Sequence, residues 1–294
     1  MATTRKMRKK VSDPVAPEIT SLIPGPDDLN EPPNRLTDYC ILIFGEKGIG
    51  KTSLAAQFPH TLTIMTEPRR RNLRIRQVSV EPRTLKEMYA MKKVTRHTGE
   101  NFQTPWQFLG EVVSEALTDP TVKTLALDTI DRIYDMALTH HCYEREIADP
   151  SALNDYGATW RDIKVDFEDL LRRILASGKG LVLLSHARLR PVEVRGGDGY
   201  DILFPTCTAA AFYILKALTD YAFYYGYFSK QRAMFLRGND LIWSACGVDD
   251  RFMSPQGDPL TVISMGKSAS ESYTNLTAGF DNKVEDLEAF RNQE

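Results

Sequence analysis

The sequence predicts an α/β protein built on a mostly parallel sheet flanked by helices. Three observations carry that expectation. Short apolar runs rich in β-branched and aromatic residues recur at 39–44, 61–66, 124–128 and 181–184, as buried strands require. Stretches of helical period separate them, clearest where Trp160, Ile163, Phe167, Leu170, Leu171, Ile174 and Leu175 mark one face. Gly45, Glu67, Asp128 and Ser185-His186 stand where these runs end, and parallel sheets gather their ligands at the carboxyl ends of strands.

Composition bounds the function classes. The chain has 294 residues, with 42% hydrophobic and 26% charged side chains, ordinary for a globular protein. The formal net charge of −2 excludes a globally basic nucleic-acid binder, so any such contact needs a local patch. Cys40, Cys142, Cys207 and Cys246 are widely spaced and read as reduced, mostly buried thiols. No apolar run reaches membrane-spanning length, and the basic start lacks the apolar region of a signal peptide. A cytoplasmic location without membrane contact is the expectation.

Taken in order, residues 1–38 read as a tail. Arg5, Lys6, Arg8, Lys9 and Lys10 precede a run of prolines, and too little apolar surface is present to offset ordering. A solubilising leader and a loose phosphate-binding arm both fit. The core is expected over 39–280, with 281–294 as a tail or short helix.

The first strand runs into Gly45-Glu46-Lys47-Gly48-Ile49-Gly50-Lys51-Thr52, a complete G-x-x-x-x-G-K-[ST] pattern, followed by Ser53 and a short helix. Its glycines allow the backbone to curl and present successive N–H groups to an anion, and the helix dipole points the same way. Residues 45–53 are the candidate contacts to ATP, with Lys51 reaching the β- and γ-phosphates and Thr52 on Mg²⁺. The second run, 61–66, leads to Glu67, which can face the γ-phosphate and orient a water or can simply be solvated beside Arg69–Arg71. A peripheral helix is expected near 85–93 and an amphipathic one over 106–117, ended by Asp119-Pro120.

Residues 124–128 form an apolar strand delivering Asp128, a candidate second Mg²⁺ ligand; Asp131 reads as a cap of the next helix, 130–147. His140, His141, Cys142 and Glu144 on that helix suggest either packing or a metal, though adjacent residues do not share a helix face. The strand at 181–184 ends in Ser185-His186, where His186 can sense the γ-phosphate or hold a structural hydrogen bond. Residues 189–206 read as a long glycine-rich loop carrying Arg190 and Arg195 beside Arg188. Residues 220–228 form an aromatic strand, and a hairpin is expected between 233–237 and 241–245 around Gly238-Asn239-Asp240. The chain from 247 reads as loop, with a last helix over 281–290.

The order of these features resembles the RecA-like P-loop ATPase core. The phosphate loop, the Thr66-Glu67-Pro68 step, the Asp128-Thr129 step and Leu183-Leu184-Ser185-His186-Ala187-Arg188 together are similar to the phage-type AAA family ATPases, which include single-strand annealing proteins. The resemblance spans about 39–245. It implies ATP hydrolysis with Glu67 as catalytic glutamate and Lys51, Asp128 and His186 in the reaction centre. It also implies self-assembly into a ring or filament, and DNA-binding loops at 149–160 and 189–205. Bacterial recombinases have Gln where this chain has His186, so a different coupling of nucleotide to DNA is the expectation here. Single-stranded DNA, bound through Arg188, Arg190 and Arg195 with Tyr200 and Phe204 as stacking platforms, is thus the expected partner. A P-loop nucleotide kinase and a protein-binding regulatory ATPase are the alternatives.

Overall fold

The computed structural model describes residues 31–67, 73–98, 101–193, 198–247 and 250–287. The basic amino-terminal cluster, Arg69–Arg71, Arg195 and the last residues of the expected carboxy-terminal helix lie outside them. The described residues from 34 onward form one compact unit.

Ten strands of the described residues make one sheet: β1 (Cys40–Gly45), β2 (Thr61–Met65), β3 (Gln77–Ser79), β4 (Thr124–Asp128), β5 (Gly180–Val192), β6 (Tyr200–Pro205), β7 (Tyr221–Phe228), β8 (Gln231–Phe235), β9 (Ala245–Cys246) and β10 (Val262–Ser264). Its order is β10-β8-β7-β1-β5-β4-β2-β3, with β6 on β5 and β9 on β7. The strands from β7 to β3 in that order pair parallel, and β6, β8 and β9 pair antiparallel with their neighbours.

The continuous apolar runs follow from burial on both faces. In β1, Cys40 and Leu42 face one core while Ile41 and Ile43 face the other. The first core receives α3 (Pro105–Thr118), α4 (Ile130–Glu144), α5 (Ala158–Ala176) and α6 (Ala209–Leu218); the second receives α1 (Lys51–Ala55) and α7 (Ala269–Phe280). Helix α2 (Leu85–Thr98) lies beside α4. Helix α5 docks through the apolar stripe its sequence carries: Ile163, Phe167, Leu170, Leu171 and Ile174 are all buried. A capping box between Thr104 and Gln107, with Pro105 at the first helical position, starts α3.

Three expectations need correction. The stretch after His186 is no long loop: β5 continues to Val192 and folds back on β6, with pairs from Ala187↔Pro205 to Val192↔Tyr200. The alternation Arg188-Leu189-Arg190 is strand alternation, which the glycines at 196–199 hid. Strand β8 pairs with β7 rather than with 241–245, because the chain reverses at Ser229-Lys230, both at positive φ. The segment beyond it instead bridges Ile242 to Leu203 and places β9 on β7. Among the described residues the last helix comes earlier than expected, at Ala269–Phe280, started by a Ser268–Glu271 capping box. Residues 281–287 are not helical.

Candidate functional site

Three parallel strands bring their carboxyl ends to one place, and a fourth, β5, passes through it. Gly45 pairs with His186, Ile43 with Leu184, Leu184 with Asp128, and Asp128 with Met65, so the tips of β1, β4 and β2 stand side by side with the middle of β5, where Ser185 and His186 lie. Strand β5 lies between the phosphate-loop strand and the Asp128 strand. On the other side of β1, Tyr225 of β7 pairs with Gly45.

The loop from Gly45 to Lys51 needs glycine for two distinct reasons. A Cβ at Gly45 would fall 2.1 Å from the Tyr225 carbonyl oxygen. Gly48 and Gly50 sit at φ of +92° and +115°, where other side chains are strained. Lys51 Nζ donates to the carbonyls of Gly45 at 2.7 Å and Glu46 at 2.9 Å, which arches the loop around the ammonium. Helix α1 is only Lys51–Ala55, so attraction for an anion rests on the loop N–H groups and Lys51 rather than on a long helix dipole.

Thr52 and Asp128 meet across the sheet. Thr52 Oγ1 donates to Asp128 Oδ2 at 2.6 Å, and each residue is only 5% exposed. A hydroxyl and a carboxylate oxygen placed together beside a phosphate-binding loop are the hard-oxygen donor set that Mg²⁺ takes, so the residues present fit that ion. The Asp128–Thr129 peptide is cis.

Glu67 is fixed from both sides. Thr66 N donates to the Asp128 carbonyl at 2.7 Å, and Thr129 N donates to Thr66 Oγ1 at 2.9 Å, which ties the tip of β2 to the tip of β4. Glu67 Oε1 then accepts from His186 Nε2 at 2.7 Å, with both side chains one quarter exposed. A carboxylate only accepts, so the imidazole carries its proton on Nε2. The expected site residues Lys51, Thr52, Glu67, Asp128 and His186 are therefore brought together.

One residue that braces the site is not legible as such in the sequence. Asp131, expected as the cap of α4, stands inside its first turn, and Thr129 holds the cap position. Asp131 accepts from Ser185 Oγ at 2.8 Å, Thr206 Oγ1 at 2.8 Å and Cys207 Sγ at 2.9 Å, clamping α4, β5 and the end of β6 directly behind His186. Burial and the Asp131 charge push the Cys207 thiol well above its ordinary pKa, so it stays protonated as a donor.

Arg188 and Arg190 are exposed on the β5–β6 hairpin, beyond His186. Arg188 Nη2 donates to the Cys207 carbonyl at 3.2 Å, and the Arg190 guanidinium lies 4.8 Å from the centre of the Phe204 ring. Tyr200 is 42% exposed, as a stacking platform requires, but Phe204 is 6% exposed and packs against Phe212 and Trp243. Phe204 is therefore core, a correction to its expected role. The histidines of α4 are likewise committed to packing contacts: His140 Nδ1 meets Thr104 Oγ1 at 3.1 Å, and His141 lies between Asp166 at 2.8 Å and Arg145 at 2.7 Å. No cluster of three metal-ligating side chains occurs among the described residues. No helix among them is long and apolar enough to cross a membrane.

A glycine-arched loop with its lysine, and a threonine–aspartate pair across the strand tips, define a P-loop nucleotide-binding protein. Residues 37–260 match the model of the AAA domain family, and the chain belongs to that family; it is a P-loop ATPase. No curated protein matches it at a significant level. Among solved structures it is similar to a KaiC-like protein from the hyperthermophilic archaeon Pyrococcus horikoshii OT3, at 17% identity and a TM-score of 0.34, over 69% of this chain and 80% of that one.

Proposed function

We propose that the chain hydrolyses ATP as its magnesium complex and couples the nucleotide state to binding of single-stranded DNA. The observation that carries the proposal is the continuity of β5. The strand that presents His186 to Glu67 continues into the hairpin that bears Arg188 and Arg190. A shift at His186 thus reaches the hairpin through strand backbone rather than through a chain of side chains.

Thr52 and Asp128 would hold magnesium, which when bound would neutralise charge at the phosphates. The remaining work falls to the protein. The amides of 48–51 cradle the phosphates, and Lys51 exchanges the carbonyls of Gly45 and Glu46 for the terminal phosphate oxygens. Glu67 accepts a hydrogen bond from the attacking water and aligns it, and His186 holds the carboxylate in place. Positioning with general-base help typically contributes ~10²–10⁴-fold. Through its bond to Glu67, His186 then responds to the terminal phosphate and its water while they are present, which draws β5 and sets the hairpin for DNA. Arg188 and Arg190 meet backbone phosphates, with Tyr200 stacking a base. Self-assembly into a ring or filament would line these hairpins along one strand of DNA.

Mobility shift of single-stranded DNA with and without a non-hydrolysable ATP analogue tests the coupling. The proposal expects a shift that strengthens with the analogue; DNA binding equal in both conditions removes the coupling, and its absence in both removes the DNA partner. A second reading, phosphoryl transfer to an acceptor other than water, draws on a cleft of about 540 Å³ beside Glu67 that Lys47, Arg83 and Arg132 line. Release of inorganic phosphate in buffer with no added acceptor decides against it.

A further inference from the structure

The direction in which a nucleotide must lie follows from where its terminal phosphates go. Thr52, Asp128 and Glu67 are all on the β5-β4-β2 side of β1. A triphosphate with its metal and its attacked phosphate at that end leaves the loop on the opposite side, toward β7. The wall there is well defined. The Tyr225 ring lies 3.9 Å from where a Cβ on Gly50 would stand. Its hydroxyl is 3.1 Å from Ser272 Oγ, and Ser272 Oγ donates to the Met265 carbonyl at 2.6 Å, which ties β7 to α7 and the end of β10.

Two residues further along β7, on the same face as Tyr225, stands Tyr227. At ~3.3 Å per residue it projects roughly one side-chain width beyond the phosphate loop. Its ring is 58% exposed, the partner Arg232 lies opposite it in the hairpin, and Arg232 Nη1 donates to the Lys267 carbonyl at 3.2 Å. Tyr227, Lys230, Arg232, Gly266, Lys267 and Glu271 line a cavity of about 580 Å³ between the β7–β8 hairpin and the start of α7, and Glu271 is turned back onto the amides of Lys267 and Ser268. That volume is within the ~300–1,000 Å³ of ordinary small-molecule sites. The cavities near Met91 and Tyr143 lie along α2 and α4, away from this side, and the cleft beside Glu67 is at the terminal-phosphate end.

We propose that this cavity is the subsite for the base and ribose of a purine nucleoside triphosphate, with Tyr227 as the stacking surface. The inference rests on the ATP reading above and adds the residues that hold the nucleoside end. An exposed tyrosine offers a large flat contact at little entropic cost, and the neighbouring cations add attraction to the base face or to the α-phosphate.

Calorimetric titration with two probes, magnesium ATP and magnesium tripolyphosphate, separates the nucleoside end from the phosphate end. Wild-type protein is expected to bind ATP more tightly than tripolyphosphate. Tyr227→Ala should weaken ATP by about tenfold, the scale of one base–aromatic stack, and leave tripolyphosphate unchanged. Tyr227→Phe should retain wild-type ATP affinity, because the ring and not the hydroxyl does the stacking. Unchanged ATP affinity in Tyr227→Ala, or equal weakening of both probes, overturns the subsite. Lys51→Ala should weaken both probes. A wild-type protein that binds neither probe refutes the ATP reading itself, which is a different failure from a Tyr227 variant that behaves as wild type.

Discussion

Replacing Arg188 and Arg190 together with alanine gives a quantitative test of the hairpin as a DNA surface. Each phosphate contact to a single strand contributes ~0.7 to the slope of log affinity against log salt, so losing two flattens the slope by ~1.4. Between roughly 50 and 200 mM salt, that difference changes the salt penalty by about sevenfold. The fold should survive. Arg188 gives up one hydrogen bond to the Cys207 carbonyl, and Arg190 gives up its place over Phe204, a contact worth ~0.5–1 kcal/mol at an exposed site. Circular dichroism establishes that the variant is folded. Fluorescence anisotropy of a labelled oligonucleotide, titrated at several salt concentrations with a non-hydrolysable ATP analogue present, reads the slope. A folded double variant with wild-type affinity and wild-type slope would refute the assignment of the hairpin, and the contacts would then be sought in Arg195, Arg69–Arg71 and the basic amino-terminal segment.

Three further outcomes follow from the same geometry. Lys51→Ala should abolish hydrolysis and weaken ATP binding severely, as phosphate release and calorimetry report; unchanged turnover would remove the loop from the chemistry. His186→Ala should leave ATP binding nearly intact while making DNA affinity indifferent to nucleotide, and a retained nucleotide effect in anisotropy would place the coupling elsewhere. Asp131→Ala strips one acceptor from Ser185, Thr206 and Cys207 at once and should cost about 2–4 kcal/mol of stability, since hydrogen bonds to a charged group contribute ~1.5–3 kcal/mol and do not add fully. Urea denaturation measures it, and a loss below ~0.5 kcal/mol, the usual scatter of surface changes, would make the clamp incidental.

The parts of the molecule legible in its sequence are those that local pattern determines. The phosphate loop carries its glycines at fixed spacing because φ and backbone clearance demand them there. Strands β1, β4 and β5 read clearly because both faces are buried, and α5 because only one is. Other elements were hidden for physical reasons. Strands β3 and β10 have three residues each, too few for a period to show. The β5–β6 hairpin carries arginines and an exposed leucine on a strand that leaves the core, so burial no longer patterns it. Helix α7 did announce itself, through Ser268 and Glu271 at capping-box spacing, a signal outweighed by the polar sequence around it. Asp131 was beyond reach, because its partners are 54, 75 and 76 residues away. The pairing of Glu67 with His186 was equally invisible at a separation of 119 residues, although each residue alone stood at a strand tip.

The proposed hydrolysis depends most on Glu67 as the carboxylate that aligns the water. Steady-state phosphate release by Glu67→Gln, measured beside its ATP dissociation constant, tests this directly. Glutamine fills the same space and still accepts from His186 Nε2 through its carbonyl oxygen, but it is a far weaker base. Turnover is predicted to fall by ~10²–10⁴-fold, a barrier increase of about 3–5 kcal/mol, while ATP affinity stays near wild type. A fall in turnover of less than about threefold, with binding intact, would contradict the account and leave Glu67 as a surface partner of His186.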